Sequence, residues 1–194
     1  MAISYPLSLP SSIGIAQIDI RAVNSVAYSQ SPFTYAGQAH AYTGQMWQAD
    51  ITIPPVRRDL AAPWKAFLTS LRGQFGTFLL GDPDYTSPQG TVSACTLTGT
   101  LGSQTATVTM TGSLLAGDYI QLGSGASSRL HQVLVDQTGD GSLEIWPALR
   151  DNYTDATVTF NSPKGVFRLS TNEVMWSIDN NSAYNISFGA MEAL

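Results

Sequence analysis

The apolar positions along the chain recur mostly at every second residue, in short runs punctuated by Gly, Pro and Ser. That pattern predicts strands rather than helices. The clearest run is Trp47-Gln-Ala-Asp-Ile-Thr-Ile53. It puts Trp47, Ala49, Ile51 and Ile53 on one face and Gln48, Asp50 and Thr52 on the other, as a half-buried strand requires. Pro54-Pro55 is expected to stop it. One stretch has a helical period instead: Leu60, Trp64, Phe67, Leu68 and Leu71 define a single apolar face, with Lys65, Thr69 and Arg72 opposite. Asp59 is the expected N-cap, Pro63 falls near the first turn, Arg72 suits the last turn, and Gly73 suits a left-handed stop. Gly76-Thr-Phe-Leu-Leu-Gly-Asp-Pro-Asp84 then reads as a short buried strand closing in an Asp-Pro turn.

From about Thr86 charge thins out and a Thr/Gly/Ser-rich stretch begins, in which Thr105, Thr107, Thr109 and Thr111 alternate with Ala106, Val108 and Met110. Strands are expected at Asp118–Gly123, Leu130–Val135 and Gly141–Pro147, at the spacing of a small barrel or sandwich. Beyond Asn161 the earlier pattern returns in Gly165–Leu169, Val174–Ile178 and Tyr184–Ala190, where Tyr184, Ile186, Phe188 and Ala190 share a face. The reading is a mainly β chain with one α-helix. A discontinuous sandwich or barrel domain spans 1–88 and 160–194, and a small β-barrel module, OB-like or sandwich, is inserted over 89–159 with Thr91–Arg150 as its compact part.

Composition narrows the function. The 194 residues are 43% hydrophobic but only 12% charged, about half the usual share of roughly 25%, while Ser and Thr make up about a fifth. Net charge is −5, which leaves little for counterion release on nucleic acid. No apolar run reaches the roughly 18 residues of a membrane span, and Met1-Ala-Ile-Ser-Tyr-Pro lacks the features of a secretory signal, so synthesis in the cytoplasm is expected. A single cysteine, Cys95, excludes an internal disulfide and a thiolate cage. Asp136, Thr138, Asp140 and Gly141 take the first, third, fifth and sixth places of a calcium loop, but Pro147 stands where the bidentate Glu is needed; a hairpin turn at Asp140-Gly141 is the better reading. Asp82-Pro-Asp84 reads as a solvated turn. His40 and His131 are the only imidazole bases, with no nucleophile elbow near any serine, so both read as structural or surface residues. Gly123-Ser-Gly-Ala-Ser-Ser128 lacks the Lys and helix of a phosphate loop. Trp47, Trp64, Trp146 and Trp176 could stack on sugars, but three sit at inward positions; Trp146, followed by Pro147, is the least settled. No metal, cofactor or catalytic residue is expected.

Several runs taken together resemble one family. They are Ser29-Gln-Ser-Pro-Phe-Thr34, Trp47 with its strand to Pro55, Trp64-Lys-Ala-Phe-Leu68, Gly76–Pro83, Gly117–Gly123, Trp146-Pro-Ala-Leu-Arg150, Pro163–Leu169 and Ile186–Leu194. The likeness, spread over nearly the whole chain, is to the minor tail proteins of long-tailed bacteriophages, most closely the distal tail type. It implies a virion protein that forms a six-fold ring on the last tail-tube ring. Its partners would be copies of itself, the tail-tube protein and the tip or baseplate hub proteins, with DNA passing through unbound and no membrane insertion. A carbohydrate- or receptor-binding tip protein is the alternative, and an ordinary tube subunit a further one. A tail-associated hydrolase is disfavoured by the absence of a converging acid and base.

Low charge suits a protomer that hides surface against its neighbours, and a net negative one suits a DNA conduit, with channel-facing carboxylates expected from the tube-like domain. The Ser29–Gln45 segment reads as a long hairpin or arm. Its Pro32, Phe33, Tyr35 and Tyr42 have no obvious place in the protomer core and are candidates for contact with a neighbour. Arg57 and Arg58, just before the helix, are candidates for pairing with acids across an interface.

Overall fold

The computed structural model describes residues 3–194. It is mainly β, with one α-helix and a closed six-stranded barrel. The chain first builds a long hairpin from β1 (Gln17–Gln30) and β2 (Gly37–Val56), then α1 (Arg58–Ser70) and β3 (Thr77–Leu80). The next strands are β4 (Ala94–Gly99), β5 (Thr105–Thr111), β6 (Ser113–Leu114), β7 (Tyr119–Leu122), β8 (Arg129–Val133), β9 (Gln137–Thr138), β10 (Gly141–Trp146) and β11 (Tyr153–Thr159), of which β6 and β9 pair with each other and the other six form the barrel. The chain then returns to the first sheet with β12 (Gly165–Leu169), β13 (Trp176–Ile178) and β14 (Tyr184–Glu192).

The first sheet is antiparallel in the order β1-β2-β14-β12-β3, with β13 on β14. Alternation dictates its faces. Trp47, Ala49, Ile51 and Ile53 are buried and align with Ile186, Phe188 and Ala190 of β14. Onto this face packs α1, through Ala61, Trp64, Phe67 and Leu68, with Leu71 beside them. Burying each large apolar side chain contributes about 1.5–3 kcal/mol, so this contact fixes the helix on the sheet.

Local details depart from the sequence reading in instructive ways. Pro54-Pro55 does not stop β2, which continues to Val56. There the register against β14 slips, Ile186 facing Ile53 but Tyr184 facing Val56, so the two imino residues are absorbed in a bulge that needs no donor from them. Asp59 is not the cap: Arg57 holds that position without a side-chain bond, and Asp59 sits in the first turn, where its charge suits the helix dipole. Pro63 lies inside the helix, past its first turn. Leu60 is exposed and Ala61 takes the inward place, because the stripe is set by which side meets the sheet. Arg72 lies beyond the helix end, and both it (φ +52) and Gly73 (φ +69) are left-handed. A Cβ at Gly73 would come within 2.8 Å of Asn172 Oδ1, so that position favours glycine for space as well as angle.

The barrel runs β10-β5-β4-β11-β7-β8 and closes through β8 on β10. Leu97, Val108, Ile120, Leu122, Leu143, Ile145 and Val158 fill it, and the alternating threonines of β5 point outward. Closure leaves no strand edge free, a closed barrel rather than a sandwich. β8 ends at Val133, and Leu134 and Val135 are exposed loop residues. The barrel leans on the sheet through Leu130 and Trp146, which join the sheet core around Trp47. Trp146 is therefore a core residue; Trp176 is the half-buried one, lying under the Lys65 ammonium at 5.1 Å.

Candidate functional site

The arm is the part of the molecule least used by its own fold. β1 and β2 stay paired from Gln17 opposite Thr52 to Gln30 opposite Gly37, with a slip in which Asn24 faces Gln45 but Val26 faces Ala41. Cross-strand neighbours share a face, so Val26 and Tyr28 stand with Ala41 and Ala39, while Ala27 and Ser29 stand with His40 and Gln38. The turn is tightly made. Ser31 N–H donates to Ala36 O and Tyr35 N–H to Ser31 O, both at 2.9 Å, and Ser31 Oγ accepts from the amides of Phe33 and Thr34. Tyr35 adopts φ +55, and Gln30 Nε2 holds its carbonyl. Pro32 lies exposed at the start of this turn, Phe33 is 91% exposed, and Tyr28, Tyr35 and Tyr42 are also exposed. From Ala22 to Ala49 there is no Asp, Glu, Lys or Arg. Natural edge strands are commonly blunted by charge; this one is not.

Where the arm meets the body, its root is fixed by polar bonds to the barrel. Trp146 Nε1 donates to Asn24 Oδ1 (2.8 Å), Trp47 Nε1 to Leu130 O (2.9 Å) and Ala148 N–H to Gln45 Oε1 (2.8 Å). Strand β14 leaves β2 at this level, its Met191 facing Gln48. Two side chains then replace a strand partner: Glu192 Oε2 accepts from Trp47 N–H, and Arg150 Nη2 donates to Gln45 O and, at 3.0 Å, to Glu192 Oε2. Glu192 is buried and Arg150 half-buried, and Arg150 Nε and Glu192 Oε1 have no partner among the described residues. Beyond this plug, β2 from Gly37 to Gln45 has no strand on its second side among the described residues. A groove of about 750 Å3 opens there, between Ala41–Gln45 and the barrel's Leu101 and Leu149, with Arg129, Arg150 and Leu194 also lining it.

The helix-free face of the sheet is the second unused surface. Gln17, Asp19 and Arg21 of β1 lie opposite Thr52, Asp50 and Gln48 of β2, followed by Ser187, Gly189 and Met191 of β14 and Arg168 of β12. Arg21 pairs with Asp50, while Asp19 faces Asp50 directly and is bonded by Gln17. Glu173 lines a depression with Asp50, Ser187 and Gly189, so the face carries three acids against two bases, Arg21 and Arg168.

The other candidates do not converge. Arg57 and Arg58 are exposed at the helix start and make no ion pair among the described residues. Asp136 and Asp140 each spend an oxygen on a backbone amide, of Ala116 at 2.7 Å and Met110 at 2.8 Å, and no group of three metal-ligating side chains occurs among the described residues. Asp82 caps Asp84 N–H in a local turn. His40 lies on the arm, edge-on to Tyr42. His131 is fully buried in the barrel, its Nδ1 2.8 Å from Pro147 O and its Nε2 without a partner; burial holds its pKa down at about 4. Burial also pushes the Cys95 thiol up to about 11. No helix among the described residues is long and apolar enough to cross a membrane.

Two buried acids escaped the sequence reading. Asp118 is wholly buried and accepts from the amides of Gln89, Gly90 and Leu115 and from Tyr85 Oη, tying the chain's entry segment to the barrel. Burial, then the Asp118 charge, raises the Tyr85 pKa. Glu192 is the other. Nothing near either residue in the sequence marks it, because their partners lie 28 to 145 residues away, apart from Leu115 beside Asp118. No protein-family model and no curated protein matches the chain.

Proposed function

We propose that this chain is a structural ring subunit of the tail tip of a long-tailed bacteriophage, joining the tail tube to the tip complex and forming part of the DNA conduit, without catalysing a reaction. The observation that carries the proposal is the arm: an exposed hairpin with an aromatic tip and no charged side chain over 28 residues, fixed at its root and free beyond it. Such a surface is suited to lying against another polypeptide, and interface cores are poor in charge and rich in Tyr and Phe. The helix-free sheet face supports the conduit. Polar side chains keep it wet, and Asp19, Asp50 and Glu173 against Arg21 and Arg168 do not form the basic wall that would retain phosphates. The resemblance to distal tail proteins supplies the six-fold ring, which requires heterologous contacts that close.

Light scattering after size-exclusion chromatography, followed by particle imaging, tests the proposal. The expected product is a six-fold annulus with a wet bore. A monomer at every concentration that binds glycans on an array would replace this reading with a receptor-binding one, and long stacked tubes would replace it with a tube subunit.

A further inference from the structure

The arm ends in an exposed phenyl ring and a partly apolar groove opens at its root, and we propose that the tip of one copy, with Phe33 as its anchor, seats in the groove of the next copy. This rests on the ring reading and adds the receiving site. The tip is a rigid knob: two backbone bonds and the Ser31 hydroxyl fix the turn, so the 91% exposed Phe33 is held out rather than left mobile. Little ordering entropy is lost when such a side chain is buried, and a phenyl ring removes about 150–250 Å2 from water.

The groove offers what the knob needs. Leu101 (64% exposed), Tyr42 and Leu194 give it apolar surface. Arg129 lines it with no acidic partner among the described residues, its only side-chain bond being to Ser128 O, and is free to lie over an aromatic face. The unpaired side of β2 runs along the groove and can take main-chain bonds from an incoming strand. A molecule cannot fill its own groove. Phe33 lies beyond the last paired residues, Gln30 and Gly37, whereas the groove begins at Ala41, and the five residues of paired strand between them span about 15 Å. The ring reading supplies the occupant, a second copy, and because knob and groove are different surfaces the contact is heterologous, the kind that closes into a ring.

Disulfide trapping tests the contact, since the chain's only cysteine, Cys95, is buried. Chains carrying Phe33→Cys are mixed with chains carrying Leu101→Cys and, as a control, with chains carrying Phe75→Cys, another exposed position. Cross-linked heterodimers are expected at about tenfold the control yield. Independently, Phe33→Ala is expected to weaken self-association about 30-fold, the size of a hot-spot loss, with the unfolding midpoint unchanged. If the unsubstituted chain forms annuli while both tests are negative, the knob-and-groove contact is wrong and the ring reading stands. If it does not associate at any concentration, the ring reading fails and takes this contact with it.

Discussion

The arm and the barrel are both built from alternating, weakly charged strands, rich in Ala, Ser and Gln in the arm and in Thr in the barrel, yet they end in opposite conditions. In the barrel each of the six strands has two neighbours, and the residues alternating with the threonines fill an apolar interior. In the arm two strands have only each other, and every residue from Asn24 to Gly44 except Ser31 is exposed. An isolated hairpin is marginal in water, so the arm stands because its root is tied to the barrel by Asn24, Gln45 and Trp47. The difference teaches where assembly energy can come from. A closed barrel has already used its backbone bonds, whereas the arm keeps an uncharged edge and an apolar face of Val26 and Tyr28 in reserve.

The comparison breaks most severely at the junction. Arg150→Met leaves Glu192 as a buried carboxylate with one donor, Trp47 N–H, and is expected to cost about 3–5 kcal/mol of stability in denaturant unfolding. Adding Glu192→Gln removes the stranded charge while keeping an acceptor for Trp47, and should recover a large part of that loss. If the double variant is no better than the single one, the pair is not the link between arm and barrel described here.

A second, smaller effect belongs to the barrel alone. With its pKa held at about 4 against an ordinary 6.5, His131 stays neutral in the folded barrel while the unfolded chain takes up a proton. Stability therefore falls as pH drops from about 6.5 to 4, by about 3 kcal/mol at most, and this group adds no further loss below that. The cause is burial, opposed by the bond to Pro147 O and reinforced by the nearby charges of Arg150 and Arg129. His131→Asn keeps a donor for Pro147 and should flatten the difference between stability at pH 6.5 and pH 4.5. An unchanged slope would mean that carboxylates alone set the acid limb.

How much of this was legible in the sequence follows from the range of the forces. Strand faces at Trp47–Ile53 and Tyr184–Ala190, the helix, and the threonine alternation of β5 all follow from neighbours two to four residues apart, and the local period shows them. The hairpin was legible in part: Ser29–Gln45 combines aromatics with no core pattern, but β1 from Gln17 was not read, and β2 begins at Gly37 rather than Trp47. What failed was set by distant partners. Leu60 lost its inward place to Ala61 because the sheet, not the helix, fixes the buried side; Pro54-Pro55 was tolerated because β14 slips past it; Trp146 is buried because Trp47 lies across it, their rings 4.4 Å apart. Asp118 and Glu192 carry no local mark at all. The groove needs Ala41, Leu101 and Leu149 to meet across the fold, which no spacing rule states.

The smallest effect on stability is the most informative about the arm. Val26→Lys and Tyr28→Lys place charge on its apolar face, in the way edge strands are commonly protected. Both side chains are more than half exposed and neither touches the core, so each change should alter unfolding free energy by less than about 0.5 kcal/mol. If that face meets a neighbour, the pair of lysines must lose water on assembly, and annuli should disappear at concentrations where the unsubstituted chain forms them. Lysines on the opposite face, at Ala27 and Ser29, have the same spacing along one strand, are equally harmless to the fold and should be tolerated by assembly. Equal sensitivity of both faces would instead mean that the arm is gripped all round, and equal tolerance that it meets nothing; in either case the contrast between an arm held in reserve on one side and a self-sufficient barrel would have to be redrawn.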